Sequence, residues 1–339
     1  MRALVPLLIA ISTLGPTPAA ASQYASPYHE LQAMDGQLAT IGYRLATANA
    51  PLCERLDGAT GLQLHDIAQY RDRDAITGVF AFESPVEVEA VVPGSPGDTA
   101  GILPDDALVA LHHDAQTQRI EAMTEGLTDD PYTRIQRIAD AFAAATSAGH
   151  PVTLDLLRHG RPLSITLTPA PACATRFQLL IEKGYDAGAD GRMVSVNLPL
   201  MQYALGAPDG EGQLAAVVAH EFAHNVLRHR ERLNAVDIKR GIGRMFGKNP
   251  RRIRQTEEEA DRLSVWLLAN AGYDPASAIR FWERFGREHG EGLISDGTHA
   301  RWKERAKAID EEIARLPTAA TRDGAKVPPI LTQPLPSLK

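Results

Sequence analysis

The 339-residue sequence predicts an α+β fold in two parts, a β-rich block in the middle of the chain and then a mainly helical domain with a small β-sheet. Two observations carry this. Residues 76–168 are short β-rich runs broken by Gly and Pro, whereas residues 214–227 and 256–272 are long apolar runs of helical length that follow two short strands, 177–181 and 193–197.

In chain order, Met1-Arg2, the apolar run 4–14, Gly15-Pro16-Thr17-Pro18 and Ala19-Ala20-Ala21 have the charged start, apolar middle and small-residue end of a secretory signal peptide cleaved after Ala21. A soluble protein of the periplasm or the extracellular space is expected, with an uncleaved anchor as the alternative. Losing Arg2 takes the formal charge from −7 to −8, which argues against a nucleic-acid partner. An exported chain keeps its cysteines oxidised, so Cys53 and Cys173 are a candidate disulfide, worth on the order of 4 kcal/mol across so long a loop.

From residue 27 to 50, Leu31, Met34, Leu38, Ile41 and Leu45 recur at alternating spacings of three and four, an amphipathic helix. The expected divisions are a signal peptide over 1–21, a helical segment over 22–74, the β-rich block over 75–170, the helical domain over 171–316 and a disordered Pro-rich tail over 317–339.

Within the block, strands are expected at 78–82, 86–91 and 107–111, a helix at 131–148 with Ile135, Ile138 and Phe142 on one face, and a hairpin of 152–157 with 163–168. The run Pro93-Gly94-Ser95-Pro96, continuing to Ala100-Gly101-Ile102-Leu103-Pro104-Asp105-Asp106, resembles a bacterial-type PDZ domain. The resemblance implies a peptide groove between the 78–82 strand and the 131–148 helix. The loop from Asp114 to Asp130 is longer than usual for such a domain, and Phe80 and Phe82 either shape the groove or fill the core.

The chemistry lies further on. His220-Glu221-Phe222-Ala223-His224 puts two imidazoles four residues apart on one helical face with a carboxylate beside them, the arrangement of zinc peptidases, which needs a third ligand from elsewhere. A metzincin would carry Gly and His where Leu227 and Arg230 stand, so that pattern fails. His229, five residues after His224, is off the ligand face and reads as structural. Downstream, Glu257 and Asp261 share a face of a second helix, begun either at Asn249-Pro250 or by a Thr256/Glu259 capping box. Glu257 can bind the metal and Asp261 can accept from the far nitrogen of a ligand histidine; the alternative is an acidic helix start complementing the dipole. A strand such as 177–181 or 193–197 is either internal or an edge for a substrate backbone.

His-Glu-x-x-His, Glu257-x-x-Ala260-Asp261, Ala271-Gly272-Tyr273-Asp274-Pro275 and Thr298-His299 with Arg305 six residues on resemble the HtpX-like and CAAX-prenyl-endopeptidase family of zinc metalloproteases (gluzincins), in particular exported members without transmembrane segments. The resemblance implies one Zn2+ on His220, His224 and Glu257, with Glu221 as catalytic base. It gives His299 two roles, hydrogen bonding to the reacting carbonyl or closing the site as an extra ligand, although Ala300 replaces the family's proline; a merely structural histidine is the alternative. Arg305 either stabilises the oxyanion or makes a structural ion pair. The expected function is a zinc endopeptidase acting on unfolded or misassembled envelope proteins, with the PDZ module capturing peptide or restraining the enzyme. The alternative is a peptide-binding adaptor or chaperone with a structural or latent zinc site. The basic segment 238–255 is either a solvated loop over the site or a contact with anionic lipid, without spanning.

Overall fold

A computed structural model describes residues 26–125, 131–147, 149–238, 249–289 and 302–338. Helices and strands are mixed as an α+β fold. Helix α1 (Pro27–Ala48) starts with Pro27 in its first turn and buries Leu38, Ile41 and Leu45. That stripe joins the core of the C-terminal half, not the middle block. Gly42 permits the contact, since a Cβ there would stand 2.3 Å from Cδ2 of Phe177.

The middle block contains strands β1 (Leu56–Ala59) and β2 (Leu62–Asp66), helix α2 (Arg73–Thr77), strand β3 (Val86–Val91), the one-turn helix α3 (Pro96–Thr99), strands β4 (Ala107–His113) and β5 (Gln116–Arg119), helices α4 (Ile120–Thr124) and α5 (Pro131–Thr146), and strands β6 (Val152–Arg158), β7 (Arg161–Leu167) and β8 (Ala170–Cys173). Its antiparallel sheet runs β2-β3-β4-β6-β7, with β5 paired to β4. Alternation sets the inner face: Val152, Leu154 and Leu156 are buried while Thr153 and Asp155 are less so. Ile138 and Phe142 of α5 close this core. The β6–β7 hairpin turns on His159 and Gly160, both at positive φ, as a two-residue primed turn demands.

Residues 78–82 are not a strand. The N–H groups of Gly78, Val79 and Phe80 bond back to Asp74 and Ile76 and continue the α2 turn, while Phe80 is buried against His29, His65, Tyr70 and Phe82. Local turn bonds and aromatic packing win over β propensity here. The groove expected beside that strand is therefore absent in that form. It is β2, an outer strand of the sheet, that lies along α5, and Arg134 grips Asp66 there (Nε–Oδ2 2.8 Å, Nη2–Oδ1 3.2 Å).

The block's two ends are tied together. β1 pairs antiparallel with β8 from Leu56↔Cys173 to Ala59↔Ala170, and Cys53 is disulfide-bonded to Cys173 across 120 residues of chain. The block is thus an insertion between α1 and the half that α1 helps to build.

That half holds β9 (Arg176–Leu180), β10 (Ala187–Ala189) and β11 (Met193–Asn197), then α6 (Leu198–Leu205), α7 (Gly210–Val226), α8 (His229–Asn234), α9 (Asn249–Asn270), α10 (Ala276–His289), α11 (Trp302–Ile313) and the short strands β12 (Thr321–Arg322) and β13 (Ala325–Lys326). In its three-stranded sheet β11 is central, parallel to β9 and antiparallel to β10. Helix α1 packs on β9, so the other edge, β10, is the one beside α7. The core joins Leu214, Val218 and Phe222 of α7 to Leu263, Trp266 and Leu267 of α9 and Phe281 and Phe285 of α10.

The tail departs from expectation too. Residues 317–338 are placed against the core: β12 and β13 form a hairpin, Lys326 exchanges hydrogen bonds with Asn270, and Leu331 and Leu335 pack on the apolar cluster. Proline content alone misleads here because apolar residues recur among the prolines. Among the described residues no helix is long and apolar enough to cross a membrane.

Candidate metal centre

Helix α7 carries His220 and His224 one turn apart, and α9 packs along it so that Glu257 faces both. His220 Nε2 stands 3.3 Å from His224 Nε2 and 3.2 Å from Glu257 Oε2, and His224 Nε2 lies 3.7 Å from Glu257 Oε1. Among the described residues these three form the one cluster able to hold a metal ion. The donors fit one. Four ligands at about 2.0–2.1 Å around tetrahedral zinc stand roughly 3.3–3.4 Å apart, which is the spacing of these atoms. Helix α9 already runs before Thr256, so Thr256 and Glu259 are not a capping box, and Glu257 and Asp261 lie in mid-helix on one face.

Behind His220 stands a buried anion. Asp261 Oδ1 is 2.9 Å from His220 Nδ1, and Arg305 of α11 holds the same carboxylate through two contacts, Nε–Oδ2 at 2.8 Å and Nη2–Oδ1 at 2.6 Å. The guanidinium also lies 3.5 Å above the Trp282 ring of α10 and places Nη2 3.2 Å from His220 Nδ1. Burial would raise the Asp261 carboxyl, but Arg305 and His220 hold it down at about 2. His220 is pushed up to about 9, because the hydrogen bonds to Asp261 and Glu257 outweigh burial and the Arg305 charge. A cation entering the site therefore displaces a proton. Arg305 thus makes an ion pair with Asp261 at the back of the His220 ring.

The outer partner of His224 is His229, which helical spacing alone places off the ligand face. Helix α7 ends at Val226, because Arg228 takes a left-handed conformation (φ 54°). The chain bends there, and α8 brings His229 Nδ1 to 2.9 Å from His224 Nδ1, with His229 Nε2 3.0 Å from Glu259 Oε2. Arg232 and Gln255 also bind Glu259, whose carboxyl lies at about 2, hydrogen bonds from His229 and Arg232 overcoming burial. Burial brings His229 down to about 4, so it is neutral. The only trace in the sequence is an acid two residues past Glu257, legible once the bend is known.

Glu221 is half-buried on α7 beside the cluster, with no hydrogen bond or ion pair among the described residues. The turn between β10 and β11 is tied to the same helix: Gly191 N–H donates to Asn225 Oδ1 at 2.8 Å, one residue past His224. Strand 193–197 is the centre of the sheet and 177–181 is one of its two outer strands, the one on which α1 packs. His299 lies outside the described residues, as do 1–25, 126–130 and 239–248, which include the signal segment and much of the basic run.

Two curated proteins match part of the chain, while no family model matches. The mitochondrial metalloendopeptidase OMA1 of Schizosaccharomyces pombe is 32% identical over 123 residues, covering 30% of this chain and 36% of the relative. The protein of that name from Arabidopsis thaliana is 31% identical over 117 residues, covering 29% of this chain and 24% of the relative. The chain thus spans between a quarter and just over a third of the length of these relatives. These partial likenesses, with a His-His-Glu donor set of zinc-ligand spacing, relate the chain to the metallopeptidases.

Proposed function

We propose that the protein is a zinc endopeptidase, and the observation that carries the reading is the convergence of His220, His224 and Glu257 at tetrahedral spacing, with Glu221, which has no side-chain partner among the described residues, next to His220 on α7. A purely structural zinc site is closed by four protein ligands and has no need of such a carboxylate. A zinc ion held there supplies Lewis acidity toward a substrate carbonyl and acidifies its water. The chain's own residues do the rest. His220 and His224 offer Nε2 lone pairs while Asp261 and His229 hold their outer nitrogens. Glu221 takes the proton from the attacking water and returns it to the leaving amine. Arg305 keeps Asp261 ionised and in place. An extended substrate adds to the outer edge of β10, which packs beside the helix that bears the histidines and whose following turn is tied to that helix at Asn225.

The inserted block is proposed as a PDZ-type module that captures peptide beside β2 and α5, and export with envelope proteins as substrates remains the reading of its N-terminal signal. The test measures zinc content and casein hydrolysis together. Wild type holds one zinc and cleaves, Glu257→Ala loses the zinc, and Glu221→Gln keeps the zinc and loses activity by about 10²–10⁴-fold. Zinc-loaded wild type without Glu221-dependent cleavage of unfolded substrates returns the adaptor reading. Deleting the block is expected to change substrate choice; unchanged kinetics would refute its role.

A further inference from the structure

We infer that His229 and Glu259 form a second positioning relay, one that sets the tautomer of His224 so that its Nε2 faces the metal as a lone pair. The inference rests on the metal-centre reading above and concerns residues that touch neither metal nor substrate.

The argument is a count of protons. Every other group around Glu259 is a donor: Arg232 through both terminal nitrogens, and the Gln255 amide at 2.9 Å. An ionised carboxylate only accepts, so His229 must present N–H at Nε2. His229 is buried, and Arg232 already neutralises the carboxylate that a second cation would need, so the ring is neutral and carries that one proton. Its Nδ1 is therefore a bare acceptor. Two ring nitrogens at 2.9 Å need a proton between them, and only His224 can supply it, from Nδ1. A neutral His224 with N–H at Nδ1 has its lone pair at Nε2, the atom 3.3 Å from His220 Nε2 and 3.7 Å from Glu257.

The backbone is built for this contact. On an unbroken helix His229 would sit about 140° around the axis from His224, out of reach. The left-handed Arg228, in a conformation that residues other than glycine rarely adopt, ends α7 and starts α8. The two ligand histidines are thereby supported differently. His220 meets a carboxylate directly and His224 meets one through a second imidazole.

The test compares His229→Leu, which removes the acceptor, with His229→Asn, whose Oδ1 can take the place of Nδ1, in the full-length protein. Zinc affinity is read by chelator competition, and thermal melting of the metal-free proteins monitors the fold. His229→Leu is expected to bind zinc 10–100-fold more weakly, with His229→Asn recovering most of the loss at equal metal-free stability. Proton and ¹⁵N spectra of the zinc-loaded wild type with labelled histidine are expected to show His224 as the Nδ1–H tautomer. Equal zinc affinity in wild type and His229→Leu, or a His224 protonated at Nε2, overturns the relay and leaves the metal centre intact. Failure of wild type itself to bind one zinc overturns the metal centre first. Should His229→Leu not fold, Glu259→Leu supplies the affinity measurement, and no change there has the same refuting force.

Discussion

Removing the Cys53–Cys173 bond by replacing both residues with alanine reports how the two halves of the molecule depend on each other. The bond spans 120 residues, and the loop it closes is the whole inserted block. If the block unfolds together with the core that contains α1, the denatured chain gains the freedom of a loop of that length, about 5 kcal/mol in the chain-entropy model. If the block outlives the core, its folded β1–β8 pair already holds the ends together. Only the few residues between that pair and the cysteines are then released, and the same model gives about 2 kcal/mol. Urea unfolding followed by tryptophan fluorescence separates the cases, because Trp266, Trp282 and Trp302 all belong to the C-terminal half. A loss near the larger figure says that block and core unfold as one unit, and a loss near the smaller says that they do not. A loss below about 1 kcal/mol refutes the view that the bond constrains the unfolded chain at all.

Four further outcomes follow from buried charge and close packing. Asp261→Asn leaves Arg305 buried without an anion and is expected to cost about 3–5 kcal/mol in chemical denaturation, with weaker zinc binding in the same samples. Because Asp261 and Glu259 are both held at about 2, below their ordinary 3.8 and 4.5, their contribution is present above those ordinary values and lost as pH falls towards 2. A wild-type melting curve flat between pH 5 and pH 2 contradicts this. Burial pushes Glu87 from 4.5 up to about 7, so the folded state holds an extra proton in that window and stability falls as pH rises through it. Glu87→Gln is expected to remove about 1–2 kcal/mol of that fall after allowance for screening; Asp35, also raised to about 7, keeps a remainder of the same sign. Identical pH profiles of variant and wild type rule this out. Gly42→Ala drives a methyl into the Phe177 ring, which packs edge-on against Phe222, and should cost about 1–3 kcal/mol in denaturant; a neutral effect shows that α1 can shift away from β9.

The parts that were legible in the sequence rest on short-range regularities. The i, i+4 spacing of His220 and His224 and of Glu257 and Asp261 survives any register of their helices, so the faces could be drawn before the helices were placed. The alternation in β6 and the stripe of α1 are of the same kind. What the pattern could not show was the partner of each face. The stripe on α1 says that the helix is buried on one side, and only packing says that it is buried against β9 and α7 and that the block behind it is an insertion. Residues 78–82 failed because a β-rich composition also suits an aromatic turn, and Phe80 found neighbours in His65 and Tyr70 that no local rule connects.

The outer shell of the metal centre makes the same division inside one site. Asp261 was within reach of sequence reasoning because one helix carries both it and Glu257, so a single periodicity relates ligand and support. His229 was not, since helical periodicity carried past His224 points it away from the ligand face, and one residue breaks that periodicity. Arg228 at φ 54° has no glycine to announce it. Its side chain instead bonds Glu231 of α8 and Glu54 of the loop before β1. A left-handed residue with one partner 174 positions away in sequence leaves no local signal. It also determines that His224 meets a histidine and not solvent, so the least regular backbone near the site is what completes the environment of its second ligand.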